Sequence, residues 1–230
     1  MRTDTQPVRC GNCGSDAHYT ILVHADELEP PDLDPRPGEP LRSSLPYWIK
    51  RCASCGYCAD EIDRVHEEAG PVIESPIYQA QLSDARFPEK ANEFICYALI
   101  LERVGQYADA GWTAMHAAWV CDDSGLQDAA SLCRQMAVRS WTAGKHQGQA
   151  FHETHESEFL IVSDVHRRLG EFEHALTACN LGAEGEDLPD LLDHCFRLER
   201  SLISRKELGR GSLRDLAMFS GASQALGGAQ

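Results

Sequence analysis

Two cysteine pairs carry the clearest chemical signal in this sequence. The segments CGNCG at 10–14 and CASCG at 52–56 each place two cysteines three positions apart and follow the second with glycine. Two thiolates at this spacing can bind one metal ion from a tight turn, and glycine tolerates the positive φ that such a turn needs. Together the two turns supply four sulfurs, which is the ligand set of tetrahedral Zn²⁺. The sequence therefore predicts one structural zinc ion bound by Cys10, Cys13, Cys52 and Cys55.

Four thiolates do not by themselves select zinc. Iron in a rubredoxin-type centre has the same four-sulfur shell, and the Gly-Tyr pair that follows Cys55 is typical of that type. Cys58 comes three positions later, so it could replace Cys55 as a ligand or be a small buried residue that opens the next segment. A closed four-sulfur site leaves no coordination position open, which favours a structural role over a catalytic one.

Strands are needed to bring the two cysteine pairs together. The segments HYTILVH at 18–24 and YWIKRC at 47–52 have the β-branched and aromatic content of strands, and we expect them to form a ribbon. The 38 residues between the two pairs exceed the usual spacing, and a segment with six prolines and interleaved acids, at 25–46, accounts for the excess. Because proline excludes a helix or a central strand, we expect an extended solvated loop there. This Pro-rich loop is either a docking segment for a partner or a solvated insertion.

Helical periodicity dominates residues 91–208, which contain a single proline. In 91–123 an aromatic face, a turn at Gly105 and an alanine stripe indicate two antiparallel helices that pack closely. LGEFEHA at 169–175 matches VGQYADA at 104–110, so we expect a second such pair. The pattern resembles the tetratricopeptide repeat, and the offset of 65 residues between the two copies is close to two of its periods.

These elements define the predicted fold class, which is mainly α with a small β zinc ribbon. An N-terminal four-cysteine ribbon is followed by antiparallel, tetratricopeptide-like helix pairs. The predicted domains are a ribbon with its Pro-rich loop, a connecting segment, a helical domain and a flexible tail, at 1–58, 59–90, 91–208 and 209–230. The last helix should have Asp187 as its cap and Pro189 in its first turn.

Stacked helix pairs of this type usually leave a groove that binds peptides or protein segments. In the register of the repeat, eight side chains point toward that groove: Asn92, Ile95, Leu99 and Glu102 in the first copy, and Ser157, Leu160, Asp164 and Arg167 in the second. The same residues could instead pack against the ribbon or against each other. We expect the groove or the acidic Pro-rich loop to bind a protein or peptide partner.

The cysteine pairs, the segment LPYWIKRCASCGYCADE at 45–61 and RRLGEFEHA at 167–175 together resemble an uncharacterised bacterial family, the domain of unknown function 2225. Its members combine a zinc ribbon with a tetratricopeptide-like C-terminal part, and the resemblance covers most of residues 8–207. Many members have Pro inside the cysteine pairs and Ala after Gly-Tyr, where this chain has Gly-Asn, Ala-Ser and Cys58. The resemblance implies the four cysteine ligands and the repeat architecture, and it implies no known activity.

Composition narrows the remaining function classes. The chain has 21 basic and 36 acidic residues and a formal charge of −15 at pH 7. Proteins that bind nucleic acid or anionic membranes usually present a basic face, so this balance argues against both roles. The longest apolar run is too short to cross a bilayer, and the N-terminus lacks the apolar core of a signal peptide. We therefore expect a cytoplasmic protein whose cysteines are reduced.

The sequence shows no phosphate-binding loop, nucleophile elbow or catalytic triad, so we assign no catalytic residue. The segment HETHE at 152–156 places its histidines three apart, whereas the zinc motif H-E-x-x-H places them four apart. We interpret HETHE as an exposed helix start, with a second metal site as the alternative. The overall prediction is a zinc-binding, non-enzymatic interaction module. Its alternative is a rubredoxin-like iron-thiolate protein that transfers electrons.

Overall fold

The computed structural model describes residues 1–185 and 188–216, and this part of the chain is mainly α-helical with a small β component near its N-terminus. The chain divides into two compact units. We call residues 1–26 and 43–151 the ribbon unit, and residues 27–42 with the chain from 152 onward the C-terminal unit. These units differ from the predicted domains, because most of the Pro-rich segment groups with the C-terminal helices.

Two antiparallel hairpins open the ribbon unit. Their strands are β1 (Arg2–Arg9) paired with β2 (Asp16–His24), and β3 (Lys50–Arg51) paired with β4 (Cys58–Ala59). The predicted strand at 18–24 is confirmed within β2. Of the predicted strand at 47–52, only the two residues of β3 form a strand, and a 3₁₀ helix at Arg42–Tyr47 precedes them. Each predicted strand pairs across its own cysteine turn, so the two belong to separate hairpins.

Helices make up the rest of the ribbon unit: α1 (Ala69–Ile73), α2 (Pro76–Leu82), α3 (Glu89–Arg103), α4 (Tyr107–Asp123) and α5 (Gln127–His146). Helix α3 packs on α4, and α4 packs on α5. The predicted turn at Gly105 joins α3 to α4 with a φ of +78°, a left-handed conformation that favours glycine. The N–H of the next residue, Gln106, donates to the carbonyl of Leu101 at 2.8 Å and closes the turn.

A buried apolar cluster joins the hairpins to the helices. Its members come from both cysteine turns, the segment after the second turn, α1, α2 and α3: Cys10, Cys52, Tyr57, Cys58, Ala59, Ile62, Ala69, Ile73, Tyr78, Leu82, Cys96 and Ile100. The hydroxyl of Tyr78 in α2 donates to the carbonyl of Gly56 at 2.9 Å and accepts the N–H of Cys58 at 3.1 Å. The predicted connecting segment therefore holds the second cysteine turn by packing and by hydrogen bonds.

The C-terminal unit contains the helices α6 (His155–Arg168), α7 (Phe172–Ala183) and α8 (Asp190–Ser204). Each of these helices contacts the other two. Pro189 was predicted in the first turn of α8 but is its N-cap, and the predicted cap Asp187 lies outside the described residues. The predicted flexible tail is described only as far as residue 216, and its Gly211 carbonyl accepts the N–H of Leu33 at 2.8 Å.

The prediction of a solvated loop at 25–46 is wrong for its central part. Leu33 is 2% exposed and belongs to the apolar core that α6, α7 and α8 form. The neighbouring acids are buried and ion-paired, Asp32 with Arg42 and Asp34 with Arg168, at 2.9 Å in both cases. A buried carboxylate is stable only when it is paired or hydrogen-bonded, and these pairs meet that need. The Pro-rich segment is therefore structural in this unit.

A charge network lies in the interior of the C-terminal unit. The side chains of Arg167 and Glu199 are both 0% exposed, and Arg167 Nε donates to Glu199 Oε1 at 2.9 Å. Arg167 also donates to Asp164 and to the carbonyls of Glu207 and Gly209, at 2.6 and 2.7 Å for the two carbonyls. Burial raises the pKa of the Glu199 carboxyl, and Arg167 opposes that shift.

Replacing Gly111 in α4 should test the close packing of α4 on α5. A Cβ at this position would lie 2.2 Å from Trp141 Nε1, and Trp141 is buried and stacked on Phe151 with ring centroids 4.5 Å apart. We expect Gly111→Ala to lower the free energy of unfolding by about 1–3 kcal/mol, as overpacking does. The matched control Gly70→Ala in α1, which has no atom within 4 Å of the new Cβ, should not be destabilised. Urea unfolding measures both, and a Gly111→Ala protein as stable as the control would contradict this packing.

The charge network predicts a large cost for Arg167→Met, because the variant removes the cation that bridges two buried carboxylates. We expect a loss of about 3–5 kcal/mol in the free energy of unfolding. Arg197→Met in α8 is the control, since Arg197 pairs with Asp193 at 2.6 Å and its side chain is 62% exposed, so its loss should stay below about 1 kcal/mol.

The cost of Arg167→Met should also depend on pH. A carboxyl whose folded-state pKa lies above its unfolded value favours folding more as the pH falls. With Arg167 present the pKa of Glu199 is about 8, and removing Arg167 raises it further, so the stability deficit should shrink as the pH falls from about 9 to about 7. Urea unfolding at the two pH values measures it. A deficit no larger than that of Arg197→Met, or one that grows on acidification, would refute the role of this network.

Candidate metal centre

The four predicted cysteines lie together in the ribbon unit. Their Sγ atoms are all within 4.8 Å of one another, with Cys10 to Cys55 at 3.8 Å and Cys13 to Cys52 at 3.6 Å. Sulfurs at the corners of a tetrahedron, with metal–sulfur bonds near 2.3 Å, are separated by about 3.8 Å. The distances therefore fit a tetrahedral ion, and this four-cysteine cluster could hold one metal ion.

The two cysteine turns have the same backbone conformation. In each turn the carbonyl of the first cysteine, Cys10 or Cys52, accepts the N–H of the glycine four positions later at 2.9 Å. Those glycines, Gly14 and Gly56, have φ values of +73° and +78°. The N–H of the first cysteine donates to the carbonyl five positions later, at 2.9 and 2.8 Å. The glycine in each motif is therefore explained by the left-handed conformation that the turn requires.

One side of the four-cysteine cluster is buried and the other faces solvent. Cys10 and Cys52 belong to the buried apolar cluster, whereas Cys13 is exposed and Cys55 is half-buried. The side-chain amide of Asn12 donates to Cys55 Sγ at 3.4 Å. A metal ion at this position would tie the edge of the ribbon to the apolar core of the unit.

The thiols differ in acidity because their surroundings differ. Burial raises the pKa of Cys10 to about 12. Burial also opposes ionisation of Cys52, but hydrogen bonds from Ser15 and from backbone N–H groups of its own turn lower its pKa to about 6. Ser15 Oγ lies 3.1 Å from Cys13 Sγ and lowers the pKa of that thiol as well. Hydrogen bonds thus stabilise some of the four thiolates, and a divalent cation would stabilise all of them.

Cys58 lies outside the four-cysteine cluster. Its side chain is fully buried, and its Sγ donates to the carbonyl of Gly56 at 3.4 Å. Cys55 holds the fourth position of the cluster. The interpretation of Cys58 as a small buried residue therefore fits the structure, and the alternative that it replaces Cys55 does not.

The groove residues of the first predicted helix pair lie in two different environments within the ribbon unit. Asn92 and Ile95 are buried, and Asn92 Oδ1 accepts the side-chain amide of Gln81 at 2.8 Å. Leu99 and Glu102 line an open depression of about 520 Å³. This corrects the groove assignment for Asn92 and Ile95, which are buried within their own unit, and α2 covers α3 at Asn92.

The groove residues of the second pair divide in the same way within the C-terminal unit. Asp164 and Arg167 are interior members of the charge network, so the groove assignment is corrected for these two residues. Ser157 and Leu160 line a cavity of about 530 Å³, and its wall also includes Leu33 of the Pro-rich segment.

The HETHE segment forms the start of α6. The hydroxyl of Thr154 caps the helix by accepting the N–H of Ser157 at 3.2 Å, and His155 is exposed. Within 1–185 and 188–216, the groups of ligand-type side chains close enough to share an ion do not include His152 or His155. The interpretation as a helix start is confirmed, and of its residues Glu153, Thr154 and His155 are exposed while His152 and Glu156 are half-buried.

A cavity of about 610 Å³ in the ribbon unit was not predicted from the sequence. It lies between the segment that follows the second cysteine turn and the helices α3 and α4. Its wall includes the acids Asp60, Glu61 and Asp109 and the aromatic rings of Tyr97 and Trp112. These residues are scattered between positions 60 and 112, and no local pattern connects them in the sequence.

No family model matches the chain, and no curated protein or solved structure matches it either. The resemblance to the domain of unknown function 2225 therefore stays a prediction. In the part of the chain that the structure describes, no helix combines the length and the apolar character needed to span a membrane.

Purified protein should carry about one metal ion per chain, and Cys10→Ser combined with Cys52→Ser should remove it. Each substitution replaces a thiolate with a weakly coordinating hydroxyl, and a structural four-cysteine site contributes on the order of 10 kcal/mol to folding. We therefore expect both the metal content and the thermal stability to fall. Cys58→Ser is the control, because it changes a cysteine of the same hairpin outside the cluster. Elemental analysis, divided by the protein concentration, gives the number of metal ions per chain. An equal number in the double variant and the control would refute the site.

Proposed function

We propose that the protein is a zinc-stabilised, non-enzymatic interaction module whose ribbon unit binds a basic segment of a partner protein. The observation that carries this proposal is that one residue belongs both to the buried apolar cluster around the cysteines and to the wall of the cavity. Tyr57 packs with Cys10 and Cys52 in the buried apolar cluster, and the same residue lines the 610 Å³ cavity. A metal ion that holds the second cysteine turn would therefore also hold one side of the cavity.

The charges around the cavity favour a cationic ligand. Asp60, Glu61 and Asp109 are acidic, and the one arginine in the wall, Arg64, pairs with Glu61 at 2.5 Å. Asp60 accepts the hydroxyl of Tyr97 at 2.8 Å, which is a neutral donor, so its negative charge is retained. Lys50 donates to the backbone carbonyl of Asp60 and offsets part of this charge, so Asp109 and the remaining charge of Asp60 attract a positive group.

Aromatic rings complete the chemistry of the cavity. Hydrogen bonds hold both rings: Tyr97 donates to Asp60, and Trp112 Nε1 donates to the carbonyl of Phe151 at 2.6 Å. Aromatic faces next to carboxylates bind ammonium and guanidinium groups through cation–π and charge-assisted hydrogen bonds. Lysine and arginine side chains of a partner protein carry these groups, which supports a basic peptide segment as the ligand.

Zinc is the proposed metal because a closed, half-buried four-thiolate set suits a structural role. The rubredoxin-like iron centre is the second candidate, and the exposure of Cys13 favours it, since electrons could reach a partner through that sulfur. Elemental analysis separates the two. A zinc protein is colourless, whereas an iron-thiolate protein is red and bleaches on reduction.

We also infer a tetratricopeptide-like relationship between the helix pairs α3–α4 and α6–α7. Within each pair the two helices are in contact, and the turns at Gly105 and Gly170 have the same φ of +78°. These similarities support membership of the domain of unknown function 2225, and a cytoplasmic location remains part of this proposal.

A labelled hexapeptide of alternating lysine and arginine tests the binding proposal by fluorescence anisotropy. Neutralising both carboxylates, with Asp60→Asn and Asp109→Asn, should weaken binding by about tenfold, which corresponds to about 1.4 kcal/mol. Asparagine keeps the shape of the side chain and can still accept a hydrogen bond from Tyr97.

The control for this experiment changes the net charge by the same amount at exposed positions outside the cavity. Asp128→Asn with Glu74→Gln in the same unit serves this purpose. If peptide affinity falls equally in the control, the attraction comes from the overall charge of the protein. That result, or unchanged affinity in the cavity variant, would overturn the proposal.

A further inference from the structure

Three side chains of metal-ligand type meet at the turn between α6 and α7. His166 lies in the last turn of α6, Glu171 immediately precedes α7, and His174 lies in the first turn of α7. Their ligand atoms are all within 4.8 Å of one another. His166 Nδ1 is 2.6 Å from Glu171 Oε2, and His174 Nδ1 is 3.9 Å from the same oxygen. This cluster was not predicted from the sequence.

The backbone turn does not require these three residues. The turns at Gly170 and Gly105 have the same φ, and each closes with the N–H of the next residue on the carbonyl five positions earlier, at 2.9 and 2.8 Å. At the positions that correspond to the cluster, the Gly105 turn carries Leu101, Gln106 and Asp109. The same turn therefore forms without imidazoles, so its geometry does not explain their presence at the second one.

The surroundings of the cluster allow a cation to approach. Of the two arginines in the last turn of α6, Arg167 is neutralised inside the charge network and Arg168 pairs with Asp34 at 2.9 Å. The carboxylate of Glu171 thus contributes negative charge at a position where both neighbouring cations are engaged by other acids. The exposed side-chain fractions are 17%, 39% and 74% for His166, Glu171 and His174, so an ion can enter from solvent.

We propose that His166, Glu171 and His174 form a second, exchangeable binding site for a divalent transition-metal ion such as Zn²⁺. Two imidazoles and one carboxylate are a recognised ligand set for this ion and leave a coordination position for water. Nitrogen and oxygen ligands at about 2.0–2.1 Å from a tetrahedral ion lie about 3.3 Å apart, between the two measured distances. Small movements of the exposed His174 and the half-buried Glu171 would complete this geometry. All three ligands belong to the C-terminal unit, so the site does not use the four-cysteine cluster.

Calorimetric titration of the full chain with zinc alone tests this site. The protein is first loaded at its cysteines, and elemental analysis counts that ion before the titration begins. We expect about one further equivalent to bind, and we expect His174→Ala or Glu171→Gln to weaken its affinity by about tenfold or more. The imidazole NMR signals of His166 and His174 should shift during the titration.

His155→Ala is the matched control, because His155 is another exposed histidine of α6 with a nearby acid, Glu158 at 3.3 Å. Its zinc affinity should equal that of the unchanged protein. Absence of a further equivalent, or an equal loss of affinity in His155→Ala, would overturn the proposal. Since the cysteine-bound ion is counted separately, failure of this site is distinguishable from failure of the four-cysteine cluster.

Discussion

The convergence of four cysteine sulfurs is the constraint on which the ribbon unit depends. The second hairpin has strands of only two residues each, β3 and β4, which is too little hydrogen bonding for an independent sheet. Its cysteine turn is held by the sulfurs of the first hairpin on one side and by Tyr78 of α2 on the other. A bound ion would replace mutual repulsion of thiolates with attraction, and would thereby join two weak hairpins.

The convergence of the four sulfurs also affects the cavity that we propose as the binding site. The segment after the second cysteine turn contributes to the buried apolar cluster and to the cavity wall through Tyr57. The hydroxyl of this residue donates to the carbonyl of Arg64 at 2.6 Å, which ties the two ends of that segment together. Metal binding and partner binding would therefore be coupled through one segment, without contact between the metal and the partner.

A different device, the neutralisation of buried charge, organises the C-terminal unit. Asp34, Arg167 and Glu199 all have partners of opposite sign in its interior. Each pair costs desolvation, so such pairs specify which segments meet more than they add stability. Here the buried ion pairs hold the Pro-rich segment and the chain after α8 against the helices. The acidic residues of the Pro-rich segment predict a solvated loop, but in the structure acids of this segment form internal ion pairs.

Contiguous residues determined the features that could be predicted from the sequence. The two cysteine pairs with their glycines predict the four-cysteine cluster, and the periodicity of 91–208 predicts the helices, because a tight turn and a helix face depend on neighbours only a few positions away. Strand β1 was not predicted because its residues are almost all polar and exposed. Its strand conformation depends on the pairing with β2. The acidic cavity, the burial of the Pro-rich segment and the His-Glu-His cluster were decided by tertiary structure. Asp34 and Arg168, for example, are 134 positions apart, and the local pattern around either residue carries no information about the other.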